Sequence, residues 1–206
     1  WGTALVYIPA VLAMVFVSGI RWRWIGVGVG GLLVTAPIIY NFILETRQKE
    51  RLTTFLRPDS DISGAGWTAH QSLLAVGSGG VSGKGFMQGT QHVLGYLPQN
   101  VASTDFIFSV IAEETGFIGS IALLCAFAGI LVCALRTALV ANDRLGMILA
   151  TGIATLFFVH IYINIGMTVL MSPVIGIPLP FISYGGSFML SMLIFVGLLQ
   201  SIYIRR

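Results

Sequence analysis

Three carboxylates stand close together in a stretch otherwise made for apolar surroundings: Asp105, Glu113 and Glu114 in STDFIFSVIAEETG. A carboxylate can accept a proton, hold a cation or pair with a base. Among apolar residues it needs a partner or a watery cavity to stay charged. On a helix, eight residues rise about 12 Å and turn about 80° past two full turns, whereas nine land on the opposite face. Glu113 is therefore nearer than Glu114 to the face of Asp105. Asp105 alone has a second explanation, because an aspartate before an apolar run is a standard helix N-cap. Two acids inside the run are a functional signal.

A second stretch, VGSGGVSGKGFMQGTQ from Val76 to Gln91, is rich in glycine and carries one lysine, Lys84. Phosphate-gripping loops read this way. A nucleotide P-loop needs G-x-x-x-x-G-K followed by Ser or Thr. Here Gly85 follows Gly83-Lys84, and Ser78 stands where the first glycine should be, so the pattern fails twice and no nucleotide is expected. His160 and Asn164 are one helical turn apart and suit hydrogen bonds between helices better than a metal. His70 and His92 have no ligand-spaced neighbours, and no G-x-S-x-G nucleophile motif is present.

The elements that must position these residues follow from composition. The 206 residues are 56% hydrophobic and 9% charged, where soluble domains carry roughly 25% charge. So little charge cannot cover a water-facing surface, and an all-α polytopic protein in a lipid bilayer is expected. A net charge of +3 does not point to nucleic acid. Cys125 and Cys133 read as small membrane-buried residues, with no disulfide framework. Spanning helices need about 20 mostly apolar residues. Five candidates fit: Thr3 to Ile20, Ile25 to Leu44, Phe106 to Leu135, Met147 to Met171 and Phe188 to Ile204. The chain thus divides into two helices over 3–44, a large outer loop over 45–105, and three helices over 106–206, all in one membrane domain. SPVIGIPLPFISYGG, residues 172–186, has three prolines and cannot be a regular helix. Such backbone is tolerated near a membrane only inside protein or beside a watery cavity. The chain opens on Trp1 inside a candidate span, so a preceding N-terminal portion is expected.

Arg21 and Arg23, Arg136 and Arg144, and Arg205 and Arg206 fall on one side of five spans. The positive-inside rule makes that side the cytoplasm and places 45–105 outside, beyond the reach of cytosolic nucleotide. Glu45 to Leu56 mixes charged and apolar residues. It fits either an interfacial amphipathic helix or an extension of the second span into water.

Several long motifs in one order carry a resemblance that covers nearly the whole chain: RLTTFLRPDSDISGAGW, HQSLLAVGSGGVSGKGFMQGTQ, TDFIFSVIAEETGFIG and NIGMTVLMSPVIGIPLPFISYGGS. The sequence resembles the SEDS proteins (shape, elongation, division and sporulation), the membrane glycosyltransferases of bacterial cell-wall synthesis. The forms FLRPDSDISGAGW and GKGFMQGTQ are closer to the elongation branch than to the division branch. The resemblance implies the C-terminal half of a fold of about ten membrane helices. It implies an enzyme of the bacterial cytoplasmic membrane, with its site facing outside, that polymerises lipid II into glycan strands. The expected partner is a class B penicillin-binding protein that cross-links them. The family's catalytic aspartate lies in a TDF motif, which makes Asp105 the candidate general base. Substrate contacts are implied at Gln71, Ser72, Gly83, Lys84, Gly85, Gln91, Glu113, Glu114, Ser183 and Tyr184.

One essential carboxylate suits this chemistry. Glycosidases use two because a poor leaving group must be protonated, whereas a diphosphate leaves without a proton and needs positive charge and hydrogen-bond donors. On this reading the glycine loop's N–H groups and Lys84 hold the diphosphate; the rival reading makes Lys84 a surface lysine in a tight turn. A divalent cation, Mg or Mn, could assist beside Asp105 or Glu113, although no closed ligand set is visible. The family pattern LPE-x-HTDF is altered here: Gln99 replaces the glutamate, Ser103 replaces the histidine, and the gap is two residues longer. Leu170 stands where a glycine is common. Two other functions remain: a flippase of lipid-linked sugars, since broken helices and buried acids also suit transport, and a membrane scaffold that only docks partners.

Overall fold

An apolar chain in lipid must satisfy its backbone internally, and a single segment can do so only as a helix. The computed structural model describes residues 4, 6–20, 23, 26–28, 30, 31, 34, 35 and 65–205. Among the described residues there are no strands, and seven helices have described bounds. They are α1 (Tyr7–Val17), α2 (Ala65–Ser78), α3 (Thr90–Val93), α4 (Gln99–Ala102), α5 (Ile107–Val140), α6 (Arg144–Thr168) and α7 (Gly186–Ile204). Helices α5, α6 and α7 are long and apolar enough to cross a membrane.

The last three expected spans coincide with α5, α6 and α7 and differ at their ends, while within the first, Thr3 to Ile20, the helix α1 covers Tyr7–Val17, shorter than a full span. Helix α6 starts three residues before Met147 because Asp143 caps it, its Oδ2 accepting from the Gly146 N–H at 3.0 Å. Helix α5 runs on to Val140. It is interrupted at Gly116, whose φ of 68° and ψ of −161° are not helical. Of the second expected span only residues 26–28, 30, 31, 34 and 35 are described, and they are helical; its other residues, the Glu45 to Leu56 segment and Trp1 lie outside the described residues. The outer segment is less loop-like than expected. Its described part opens with α2, fourteen residues long, which packs on α5 and α6.

Helix α6 is the centre of the bundle and packs against α1, α2, α5 and α7. Its Phe157 is completely buried and lies edge-on to Phe181 at 5.5 Å and to Phe195 at 6.4 Å between ring centres. Helices α5 and α7 instead expose Val132, Leu135, Leu139, Leu190 and Leu193. Such a surface suits acyl chains rather than water. Cys125 and Cys133 are unpaired and exposed on α5, on the bundle's outer surface rather than in its interior.

Candidate active site

The break at Gly116 explains the glycine loop. A helix that stops and restarts leaves N–H and C=O groups without helical partners, and in lipid each must be satisfied by protein. The loop does this. Lys84 N–H donates to the Glu113 carbonyl and Gly85 N–H to the Glu114 carbonyl, both at 3.0 Å. In return Phe117 N–H donates to the Gly80 carbonyl at 2.9 Å and Ile118 N–H to that of Val81 at 3.2 Å. The two backbones approach so closely that a Cβ at position 116 would overlap the Gly83 nitrogen. The Gly83 N–H donates to the Gly79 carbonyl at 2.9 Å. The N–H groups of Gly83, Lys84 and Gly85 are therefore committed to protein carbonyls. This corrects the expectation that they wrap a diphosphate: their glycine-rich backbone wraps a helix break.

Lys84 and Glu113 lock this insertion. Glu113 is fully buried. Its Oε1 accepts from Lys84 Nζ at 2.6 Å, from Thr90 Oγ1 at 3.0 Å, from the Gln91 N–H at 3.1 Å and from Ser78 Oγ at 3.4 Å. Lys84 Nζ also donates to Thr90 Oγ1 at 2.6 Å. Glu113 Oε2 and Gln91 Oε1 are buried without a partner. Glu113 is thus the counter-ion of Lys84, and the lysine is not a free surface charge. Glu114 is half-buried, and its carbonyl holds Gly85.

Asp105 lies in the turn before α5. It stands one residue ahead of Phe106, the N-cap position of α5. The segment between α6 and α7, expected to be irregular, wraps the TDF backbone. Ser183 Oγ donates to the Thr104 carbonyl at 2.5 Å and accepts from the Leu179 N–H at 2.7 Å. Tyr184 N–H donates to the Ser103 carbonyl at 3.0 Å. Asn164 Nδ2 donates to the Asp105 carbonyl at 2.8 Å and to that of Ile177 at 2.6 Å. Gly176, at φ +76°, faces the acid itself, because a Cβ there would sit 3.0 Å from Asp105 Oδ2. Asp105 is half-buried.

The other expected contacts divide. Gln71 and Ser72 are buried on α2, and Ser72 Oγ donates to the Thr168 carbonyl at 3.0 Å, so Ser72 fastens α2 to α6. Ser183 is buried and holds backbone, whereas Tyr184 is 81% exposed. Residues 84, 90, 91 and 113 form one cluster, and 103–105, 164, 176 and 183 another. The sequence reading missed Thr90, Gly176 and the bonds from Asn164 to irregular backbone. Gly176 and the partners of Asn164 belong to the proline-rich segment, whose non-helical character was visible but not its target.

Lys84 Nζ already occupies Glu113 Oε1 and would repel a cation there. Among the described residues no group of three or more His, Cys, Asp or Glu gathers.

Comparisons with known proteins follow the same motifs. The chain is 39% identical to the peptidoglycan glycosyltransferase MrdB of Escherichia coli K12 over 205 residues, covering 100% of this chain and 55% of that protein. It is 38% identical to stage V sporulation protein E of Bacillus subtilis, covering 98% and 54%. It is 37% identical to the peptidoglycan glycosyltransferase RodA of Treponema pallidum, covering 90% and 42%. A solved structure described as "Structural coordination of polymerization and crosslinking by a peptidoglycan synthase complex" superposes with a TM-score of 0.76 at 29% identity, over 100% of this chain and 55% of that one. The chain spans about half the length of the relatives it matches. A cell cycle protein family profile, named for FtsW, RodA and SpoVE, matches residues 1–206, and the chain belongs to that family.

Proposed function

We propose that this chain carries the catalytic aspartate of a peptidoglycan glycosyltransferase that polymerises lipid II. One observation carries the reading: the half-buried Asp105 carboxylate rests against Gly176 while Ser183, Tyr184 and Asn164 hold the three backbone carbonyls of residues 103–105. A general base must be held where it can reach the proton it removes. Relatives named peptidoglycan glycosyltransferase align along the whole chain, which supports the same chemistry here.

The step balances with one acid. The acceptor sugar's hydroxyl oxygen attacks the anomeric carbon of the growing strand, and Asp105 takes the hydroxyl proton. A new glycosidic C–O bond forms as the bond from the anomeric carbon to the diphosphate oxygen breaks. The diphosphate departs as an anion and needs no proton. Lys84, although paired with Glu113, keeps 26% of its side-chain surface open and can lend positive charge to the departing diphosphate. The family match and the superposition on a chain of a peptidoglycan synthase complex support a cross-linking partner of the class B penicillin-binding type. The one-sided arginines support a cytoplasmic-membrane protein with this site outside. A flippase would rely on Glu113 as a mobile acid, and Glu113 is bound by three side chains and a backbone N–H.

The test is polymerisation of fluorescent lipid II by the full-length protein with its penicillin-binding partner. Asp105→Ala and Asp105→Asn are expected to slow glycan-ladder formation by about 10²–10⁴-fold, to a measurable residual rate, with folding and partner binding intact. Ladders undiminished in both variants would remove Asp105 from the chemistry.

A further inference from the structure

Asn164 stands one turn past His160 on α6 and is fully buried. Its two amide protons go to two separate stretches of irregular backbone: the Asp105 carbonyl, and the carbonyl of Ile177. Ile177 follows Gly176, against which the Asp105 carboxylate sits. One side chain therefore ties both the acid's backbone and the surface under its carboxylate to the most buried helix. The amide oxygen has no partner. A side chain of similar size without polar atoms would leave no such buried orphan, so filling space does not account for an amide here. Its two donor bonds do. Ser183 and the Tyr184 backbone hold the two residues before Asp105, whereas Asn164 holds Asp105 itself.

We propose that Asn164 is a positioning residue for Asp105, fixing where the carboxylate stands without touching substrate. This rests on the reading of Asp105 as general base. A displacement of about 1 Å in such a group can lower the rate about a hundredfold, while substrate held by other residues binds as before. Asn164→Leu keeps similar volume and removes both donors. Asn164→Asp keeps the shape and, when ionised, has no proton to donate.

The experiment measures lipid II polymerisation by the full-length protein with its penicillin-binding partner. The variants are Asn164→Leu, Asn164→Asp, Asp105→Asn and the Asn164→Leu/Asp105→Asn double, with folding and partner binding checked for each. Both Asn164 variants should lower kcat about a hundredfold with KM within about twofold. On the Asp105→Asn background, Asn164→Leu should cause no further loss, because a residue acting only through Asp105 has nothing left to position. If Asn164→Leu does not fold, Asn164→Asp carries the comparison, alone and on the Asp105→Asn background. The proposal is overturned by unchanged kcat, by a loss confined to KM, or by a full additional loss on the Asp105→Asn background. Wild-type activity together with fully active Asp105→Asn overturns the general-base reading, and the positioning role with it. Wild-type activity, a severely slowed Asp105→Asn and normal Asn164 variants overturn the positioning role alone.

Discussion

Lys84→Met separates a structural ion pair from a loose surface lysine. In the native chain the Glu113 carboxylate is 1% exposed and the Lys84 side chain 26%. Removing the lysine strands a buried negative charge. Breaking a buried pair this way costs roughly 3–5 kcal/mol. Here the Gln91 N–H and Thr90 hydroxyl remain as donors to the carboxylate, so the expected loss is nearer ~2–3 kcal/mol. Glu113→Gln should cost less, about 1 kcal/mol, because the stranded lysine can turn to water and the new amide oxygen still accepts from Gln91 and Thr90. The double variant strands no charge. It should be about as stable as Glu113→Gln alone, which gives a coupling of about 2 kcal/mol. Equilibrium unfolding of the full-length protein in mixed detergent micelles reads all four corners of the cycle. If Lys84→Met destabilises no more than Glu113→Gln, or if the two losses simply add, the lysine does not neutralise Glu113 and the account of the glycine loop is wrong.

Gly116→Ala would push a methyl group into the Gly83 nitrogen and Val81 carbonyl, which are backbone and cannot turn aside, and would add about 1–2 kcal/mol of left-handed strain; little folded protein should be recovered in detergent, and a native yield would refute the tight approach. Gly176→Ala places its methyl 3.0 Å from Asp105 Oδ2, so polymerisation should drop by about tenfold or more while unfolding shifts by only about 1–2 kcal/mol; activity and stability assays on one preparation check the split. Ser183→Ala leaves the buried Leu179 N–H without its acceptor and frees the Thr104 carbonyl. It should destabilise by about 1–3 kcal/mol, measured by the same unfolding assay, with Ser183→Thr restoring part of the loss.

Membrane residence, the all-helical class and the three long spans were legible because they depend on runs of one kind of residue within a single segment. The proline-rich segment after α6 was legible as irregular for the same local reason. The TDF motif located Asp105 without any geometry. The clamp was harder to see. Asn164 reaches Asp105 across 59 residues and Ser183 reaches Thr104 across 79, and no periodicity spans such gaps. Residues 65–78, within the stretch read as an outer loop, form α2, which packs on α5 and α6, where tertiary burial outweighs weak local preference.

The glycine loop shows the division most clearly. The amino-acid sequence by itself determined that residues 76–91 could not be a P-loop and that their backbone could approach something closely. It also determined that two acids stood inside an apolar run. It left open what the loop approached, because a glycine-rich backbone fits an anion and another backbone equally well. Only the tertiary structure decided between them. The broken helix at Gly116 leaves donors and acceptors that lipid cannot satisfy, and Gly80, Val81, Lys84 and Gly85 lie where they can take those bonds. Lys84 then sits beside the one fully buried carboxylate among the described residues, and the need to neutralise that charge sets its place.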